Sequence, residues 1–280
     1  MSNIRFGISV LQHVPTPGDL TTSLSRIETA LADARQAGSR LLVVPEASLT
    51  GYNLTREMAD DIAVEADAPL FETLSEHCAR NAVGAVVGYI ERENDTLYNT
   101  ARLIDTNGDT LTRYRKTHLW GSLDRGLFRA GPGFVEPVEF DGIRLAMLIC
   151  YDVEFPEAVR HLALAGAELL IVPTALMQPW PFVARHLVPV RAAESQLFIA
   201  YANYCGHENG LDYTGESCIV GPDGTVLVRA SDGPELISAT LELGAMQKIR
   251  KELPYFRDRR PSLYSALARG SEIFSEQEKS

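Results

Sequence analysis

The sequence predicts an α/β protein whose sheets contain both parallel and antiparallel strands. Short apolar runs alternate with amphipathic helical segments, which is typical of strand–helix–strand units. Further strand signals at 82–116 and 216–243 are separated by the turn dipeptides Asn107-Gly108 and Asp223-Gly224, which favour antiparallel hairpins. Parallel units joined to hairpins predict mixed sheets rather than purely parallel ones.

A series of apolar, β-rich runs is predicted to form the strands. Runs 41–44 and 169–172 are apolar at every position, which indicates central strands covered on both faces. The predicted strands occupy residues 4–12, 40–46, 82–90, 97–105, 142–150, 168–176, 197–203, 216–222 and 235–243.

Two intervening segments have the periodicity of amphipathic helices. Residues 20–38 place apolar side chains three and four positions apart and end at Gly38, a residue suited to the position after a helix. Residues 156–166 begin with Pro156, which is tolerated in a first helical turn, and end at Gly166. Both segments therefore predict helices that connect neighbouring strands.

An internal similarity indicates two related halves. A-G-S-R-L-L-V-V-P-E-A (37–47) matches A-G-A-E-L-L-I-V-P-T-A (165–175), and I-R-F-G-I-S-V (4–10) resembles I-R-L-A-M-L-I (143–149) in the same order. Any two β-α-β units share some Leu and Val positions, so chance similarity is the alternative. We interpret the pattern as a duplication that places two sheets face to face.

The chain contains no linker-like run, so residues 1–265 are predicted to form a single domain. The polar tail, residues 266–280, is expected to be mobile or to lie at a subunit contact. The 280 residues carry 26 basic and 37 acidic side chains, a net charge of −11 that disfavours nucleic acid and anionic membrane surfaces as partners. Because the N-terminal segment does not resemble a signal peptide and no run is long enough to span a membrane, we expect a cytoplasmic protein.

Cys150 lies where an apolar run meets the helix predicted from Pro156. Such a junction holds a side chain at the sheet edge beside free backbone N–H groups, which suits a nucleophile and the oxyanion it creates. A helix start lowers a thiol pKa, whereas Asp152, Glu154 and Glu157 oppose that effect. Taken alone, Cys150 is more simply explained as a buried structural cysteine.

Two charged residues at the ends of other runs change this balance. Glu46 directly follows Pro45, where a carboxylate on a core strand needs a reason to be buried. Lys116 ends L-T-R-Y-R-K (111–116), a position that an exposed strand end would also explain. Together with Cys150, they would supply a general base, a cation for an oxyanion and a nucleophile. A buried Glu–Lys pair would also offset its own charge.

Three segments around these residues resemble signature blocks of the nitrilase, or carbon–nitrogen hydrolase, superfamily. They are P-E-A-S-L-T-G-Y (45–52), Y-R-K-T-H-L-W (114–120) and L-I-C-Y-D-V-E-F-P-E (148–157). Segments 191–203 and 217–224 extend the resemblance to residues 4–265. The resemblance implies a four-layer α-β-β-α sandwich of two stacked mixed sheets. It also implies a homodimer or larger homo-oligomer, with the C-terminal segment often at the subunit contact.

The resemblance further implies a role for each candidate residue. Glu46 would be the general base, Lys116 the cation beside the oxyanion, and Cys150 the nucleophile. The backbone N–H of Tyr151 would also bind the oxyanion. His118 is expected to order the loop after Lys116.

Asp124 departs from the family pattern, which usually has a glutamate at this position, eight residues after the lysine. The neighbouring Arg125 and the following residues still match the pattern. Because aspartate is shorter by one methylene, we expect that loop 117–130 moves inward to restore the contact, or that Asp124 only holds this loop in place. We expect Asp124 to keep a catalytic role in the active site, because the residues on both sides follow the family pattern; a surface carboxylate without a role is the alternative.

The resemblance implies hydrolysis of a primary amide through a thioester, with no metal or organic cofactor. The histidines lack zinc-ligand spacing. The block C-Y-D-x-x-F-P-E resembles the amidase members, whereas members acting on nitriles more often have C-W-E. Hydrolysis of N-carbamoyl amino acids or amines, nitrile hydrolysis, and a catalytically silent regulatory protein are the alternatives. The residues expected to contact a small amide substrate are Tyr52, Trp120, Thr174, Trp180 and Phe182.

Overall fold

The computed structural model describes residues 4–265 and contains strands and helices in alternation. Numbered along the chain, the strands are β1 (Arg5–Gln12), β2 (Leu41–Val43), β3 (Val64–Glu65), β4 (Gly84–Glu93), β5 (Thr96–Ile104), β6 (Thr110–Arg115), β7 (Val138–Phe140), β8 (Ile143–Met147), β9 (Leu169–Pro173), β10 (Phe198–Ala202), β11 (Cys205–Glu208), β12 (Leu211–Thr214), β13 (Cys218–Val220), β14 (Val226–Arg229) and β15 (Glu235–Glu242). The α-helices are α1 (Leu20–Gln36), α2 (Arg56–Ile62), α3 (Leu70–Asn81), α4 (Gly121–Leu127), α5 (Pro156–Leu164), α6 (Val188–Ser195), α7 (Leu243–Glu252) and α8 (Tyr255–Asp258).

Two large sheets follow the same plan. The first has the order β15-β1-β2-β4-β5-β6, and β3 also pairs with β4. The second has the order β7-β8-β9-β10-β13-β14. In each sheet three central strands are parallel, with one antiparallel strand on one side and two on the other. This agrees with the duplication, because β1–β2 and β8–β9 carry the two pairs of similar segments.

The sandwich has four layers because successive side chains of a strand point to opposite faces. Phe6 of β1 packs between the sheets, where its ring meets Phe140 at a centroid distance of 5.9 Å. Leu42 of β2 points the other way and packs with buried residues of α1 and α3. Helices α5 and α6 cover the outer face of the second sheet. The predicted sandwich of two stacked mixed sheets is therefore confirmed.

The two helices that the sequence predicts, α1 and α5, begin and end where expected. The Asp19 side chain accepts a hydrogen bond from the backbone N–H of Thr22 at 2.9 Å and caps α1. The chain leaves α1 through Gly38, whose φ of 76° suits glycine. Pro156 is the first residue of α5, where its missing N–H costs no helical hydrogen bond.

The sequence places the ends of several strands too late, and two of them precede candidate catalytic residues. Strand β2 ends at Val43 rather than at residue 46, and β8 ends at Met147 rather than at Cys150. In both places the chain turns through a left-handed residue, Ala47 with φ 48° and Cys150 with φ 47°. The sequence stays apolar beyond the last backbone hydrogen bond of each strand, because the turn that follows the strand is itself buried.

Several elements are absent from the sequence-based prediction. They are β3, β7, the β11–β12 hairpin and the helices α2, α3, α4, α6, α7 and α8. Within residues 4–265, none of the helices has the length and apolar character needed to cross a lipid bilayer. The predicted tail, residues 266–280, lies outside the described residues.

Candidate active site

Glu46, Lys116 and Asp124 form a fully buried ionic cluster. The Lys116 Nζ donates hydrogen bonds to Glu46 Oε1 and to Asp124 Oδ2, both at 2.7 Å. The Asn99 side-chain amide donates to the same Glu46 oxygen at 2.7 Å. The other oxygen, Glu46 Oε2, is buried without a hydrogen-bond partner in the described part of the chain. A lysine between two carboxylates is electrostatically compensated, whereas Glu46 keeps one oxygen free to accept a proton.

Glu46 is held by the buried turn that follows β2. Its backbone N–H donates to the Thr174 carbonyl of the second half at 3.3 Å. The turn lies directly on Gly88 of β4, where an added Cβ would come within 2.4 Å of the Ala47 nitrogen. Any side chain at residue 88 would therefore displace the turn that positions Glu46.

Cys150 opens a 3-10 helix, Cys150–Glu154, with a left-handed φ of 47°. A non-glycine residue in this conformation costs about 1–2 kcal/mol. The Thr174 side chain and the Ala175 backbone lie near the sulfur and oppose the increase in the pKa of Cys150 that burial causes. Because Tyr151 is the second residue of this helix, its N–H has no acceptor within the first turn and is available to an oxyanion.

Asp152 connects the segment that carries Lys116 to the turn that carries Cys150. Its buried carboxylate accepts hydrogen bonds from Tyr114 Oη at 2.8 Å and from the His118 backbone N–H at 2.8 Å. It also accepts one from the Ile149 N–H at 3.1 Å. The His118 ring lies 2.7 Å from Asp152 Oδ1 and stacks on a neighbouring phenylalanine. His118 thus holds the loop after Lys116, as predicted.

Burial and charge set the ionisation of the cluster. Burial lowers the pKa of Lys116, but the charges of Glu46 and Asp124 outweigh this effect and hold that pKa well above its usual value. Burial raises the pKa of Glu46, and the Lys116 charge only partly opposes the increase. Burial, together with the Glu46 charge, also raises the pKa of Cys150. The resting sulfur is therefore a thiol that needs a base in order to attack.

Asp124 reaches Lys116 despite its short side chain, because it belongs to α4 rather than to an extended loop. Its Oδ2 also accepts from the Trp120 N–H at 2.9 Å, and its Oδ1 accepts from Tyr52 Oη at 2.8 Å. Asp124 is fully buried, so the alternative of a surface carboxylate is wrong. The aspartate joins the cluster and ties α4 to it.

A cavity of about 220 Å³ opens onto Cys150 and Tyr151. Four of the predicted substrate contacts line it: Tyr52, Trp120, Trp180 and Phe182. Thr174 does not line the cavity but is fully buried near the sulfur. It follows β9 in the second half of the chain, at the position that corresponds to Glu46 after β2 in the first half.

Other residues of the site did not stand out in the sequence as contacts. Asn99 lies in the middle of β5, where a polar residue resembles one on an exposed face. The cavity-lining residues that the sequence did not single out as contacts are Glu154, Leu176, Met177 and Val183. The sequence feature that could have indicated these residues is their position shortly after Cys150 or after β9.

Comparison with known proteins agrees with this fold. The carbon-nitrogen hydrolase family profile matches residues 7–251. The chain therefore belongs to the carbon–nitrogen hydrolase family, and it is an enzyme of that class.

Its relatives include amidases. A protein of Pseudomonas protegens described as a hydrolase in the pqqF 5′ region is 43% identical over 94% of this chain and 92% of its own length. An (R)-stereoselective amidase of a Pseudomonas species is 35% identical over 90% of this chain and 91% of its own length.

A solved structure is similarly close. The crystal structure of an amidase from a Nesterenkonia species superposes with a TM-score of 0.86 and 31% identity, covering 95% of this chain and 98% of that one. A mutant of that amidase shows covalent addition of the acetamide moiety of fluoroacetamide at its active-site cysteine.

Proposed function

We propose that the protein hydrolyses primary amides to a carboxylic acid and ammonia through a thioester on Cys150. The observation that carries this proposal is the buried Glu46–Lys116–Asp124 cluster, in which the charges of Glu46 and Lys116 act on the Cys150 thiol, together with the small cavity onto which this thiol opens. The covalent addition at the cysteine of the Nesterenkonia amidase supports the same assignment of the nucleophile.

In the first half-reaction the thiol attacks the amide carbonyl carbon. Because the Cys150 pKa is raised, the attack requires proton transfer, and Glu46 Oε2 is the free acceptor. The developing oxyanion is stabilised by the Lys116 ammonium and the Tyr151 N–H. Glu46 then gives its proton to the amide nitrogen, the C–N bond breaks, and ammonia leaves a thioester on Cys150.

In the second half-reaction water replaces ammonia. Glu46 removes a proton from water as the water oxygen attacks the thioester carbon, and the same groups bind the oxyanion. The C–S bond breaks, the sulfur regains its proton from Glu46, and the carboxylic acid is released. Asp124 keeps Lys116 charged and in place through both steps.

The cavity favours an amide over an N-carbamoyl amino acid. Such a substrate carries a carboxylate, and the lining formed by the described residues includes Glu154 but no lysine or arginine. Like charges brought together at low dielectric repel, so a carboxylate would bind poorly.

The test is ammonia release from matched primary amides, N-carbamoyl amino acids and nitriles, with Cys150→Ala as the inactive control. We expect turnover of amides and none by the variant. Turnover of nitriles or N-carbamoyl amino acids alone would contradict the proposal, and ammonia release from none of the compounds would favour a silent protein.

Three other expectations stay predictions. They are the single domain over residues 1–265, a homodimer or larger homo-oligomer, and a cytoplasmic location. Light scattering of the purified protein would measure the oligomeric state directly.

A further inference from the structure

Glu154 lines the cavity that opens onto Cys150 and is only partly buried. Within residues 4–265, its carboxylate forms no hydrogen bond or ion pair with another side chain or with the backbone. Burial raises the pKa of Glu154. Partial desolvation of a carboxylate that has no protein partner raises its free energy, and a ligand that donates a hydrogen bond to the carboxylate would offset this increase.

The two cations whose charge reaches Glu154 are Lys116 and Arg191, and both are held by other groups. Lys116 lies between Glu46 and Asp124. Arg191 donates to the Glu154 backbone carbonyl at 2.6 Å rather than to its carboxylate. It also donates to the Val153 carbonyl and to the carboxylate of Glu194. Neither cation is free to turn towards the Glu154 side chain.

The rest of the lining is aromatic and aliphatic. Trp120 and Trp180 are aromatic residues of the kind that attracts cations, and Leu176 and Met177 contribute apolar surface. Among the described residues that line the cavity, none is a cation that could neutralise Glu154. A single carboxylate in such a lining attracts substrates with a positive charge and repels those with a negative charge.

We infer that Glu154 is a specificity-determining residue that binds a protonated amine on the acyl part of the substrate. The preferred substrates are then amides of amino acids that retain a free ammonium group, and amides that carry a free carboxylate are disfavoured. This inference rests on the proposed amide hydrolysis and adds the substrate class to it.

The test compares three amides that share the unit CH2–CH2–C(=O)NH2 and differ in the group attached to it, which is an ammonium in β-alaninamide, a methyl in butyramide and a carboxylate in succinamate. Ammonia release gives kcat/KM for each in the parent enzyme, Glu154→Gln and Glu154→Asp. Glu157→Gln is the matched control, because Glu157 is an exposed carboxylate three residues away and outside the cavity.

We expect the parent enzyme to prefer β-alaninamide to butyramide and to use succinamate least. Glu154→Gln should reduce the β-alaninamide-to-butyramide ratio about tenfold, the effect of losing one hydrogen bond to a charged group. Glu154→Asp should keep part of the preference, and Glu157→Gln should keep all of it. The ratio of the kcat/KM values of two substrates, measured on one enzyme preparation, does not depend on the fraction of the enzyme that is folded.

Two results would overturn the inference in distinguishable ways. If the parent enzyme hydrolyses butyramide but shows no charge preference, or Glu154→Gln keeps the parent ratio, the role of Glu154 is wrong and amide hydrolysis stands. If the parent enzyme releases ammonia from none of the three amides, amide hydrolysis fails and the inference fails with it.

Discussion

Replacing Asp124 by asparagine removes one charge from the buried cluster while nearly preserving its shape. Asp124 accepts three hydrogen bonds, from Lys116, Trp120 and Tyr52. An asparagine with its oxygen towards Lys116 retains the first two, and the Tyr52 hydroxyl can rotate to accept from the new amide. The main loss is therefore the negative charge beside Lys116.

The loss of stability can be estimated from the charged hydrogen bond between Lys116 and Asp124. A hydrogen bond that involves a charged group contributes about 1.5–3 kcal/mol. For a domain of this size, 1 kcal/mol shifts Tm by about 2–4 °C, so Asp124→Asn should lower Tm by roughly 3–12 °C. Because Lys116 would lose one of its two carboxylate contacts, we expect kcat on an amide to fall about tenfold to hundredfold.

Asp124→Glu separates charge from packing. It retains the charge but adds a methylene at a fully buried position, which costs about 1–3 kcal/mol of packing. Thermal unfolding and ammonia release should show both variants destabilised but Asp124→Glu the more active. If Asp124→Asn matches the parent in Tm and kcat, the cluster does not support catalysis in the way described.

Three further predictions concern the remaining groups. Lys116→Met should raise the barrier by about 3 kcal/mol or more, measured as kcat on the folded enzyme, because the oxyanion loses its cation. Glu46→Gln should slow alkylation of Cys150 by iodoacetamide near neutral pH, and an unchanged rate would show that Glu46 does not activate the thiol. Because burial raises the pKa of Glu46, the base stays protonated to a higher pH than usual. The acidic limb of kcat/KM should therefore lie above pH 4.5, the usual pKa of this group, and a limb at or below that value would contradict the assignment.

The sequence predicts the strands of the sandwich well because both sheets are covered on both sides. Runs such as 41–44 and 169–172 have to be apolar at every position in that arrangement. It predicts the ends of those strands less well, because Ala47 and Cys150 turn the chain while it remains buried. Left-handed turns at non-glycine residues leave no compositional signal.

The residues of the candidate site also differ in how well the sequence predicts them. Glu46 stands out in the sequence because a carboxylate directly follows an apolar run, whereas Lys116 stands out through its place in the block Y-R-K-T-H-L-W (114–120). Asn99 and Asp152 do not, since their roles depend on hydrogen bonds to partners distant in the sequence. The contact of Asp124 with Lys116 depends on where α4 begins, which a segment of seven residues does not specify by its periodicity.

The most direct test of the account is the trapping of the acyl enzyme. The parent enzyme, mixed with a primary amide and rapidly quenched in acid, would be digested and analysed by mass spectrometry. We predict one acyl group on the peptide that contains Cys150, and no such adduct in Cys150→Ala, which should release no ammonia. Continued turnover by Cys150→Ala, or steady-state turnover by the parent without any acyl group on that peptide, would contradict the thioester mechanism.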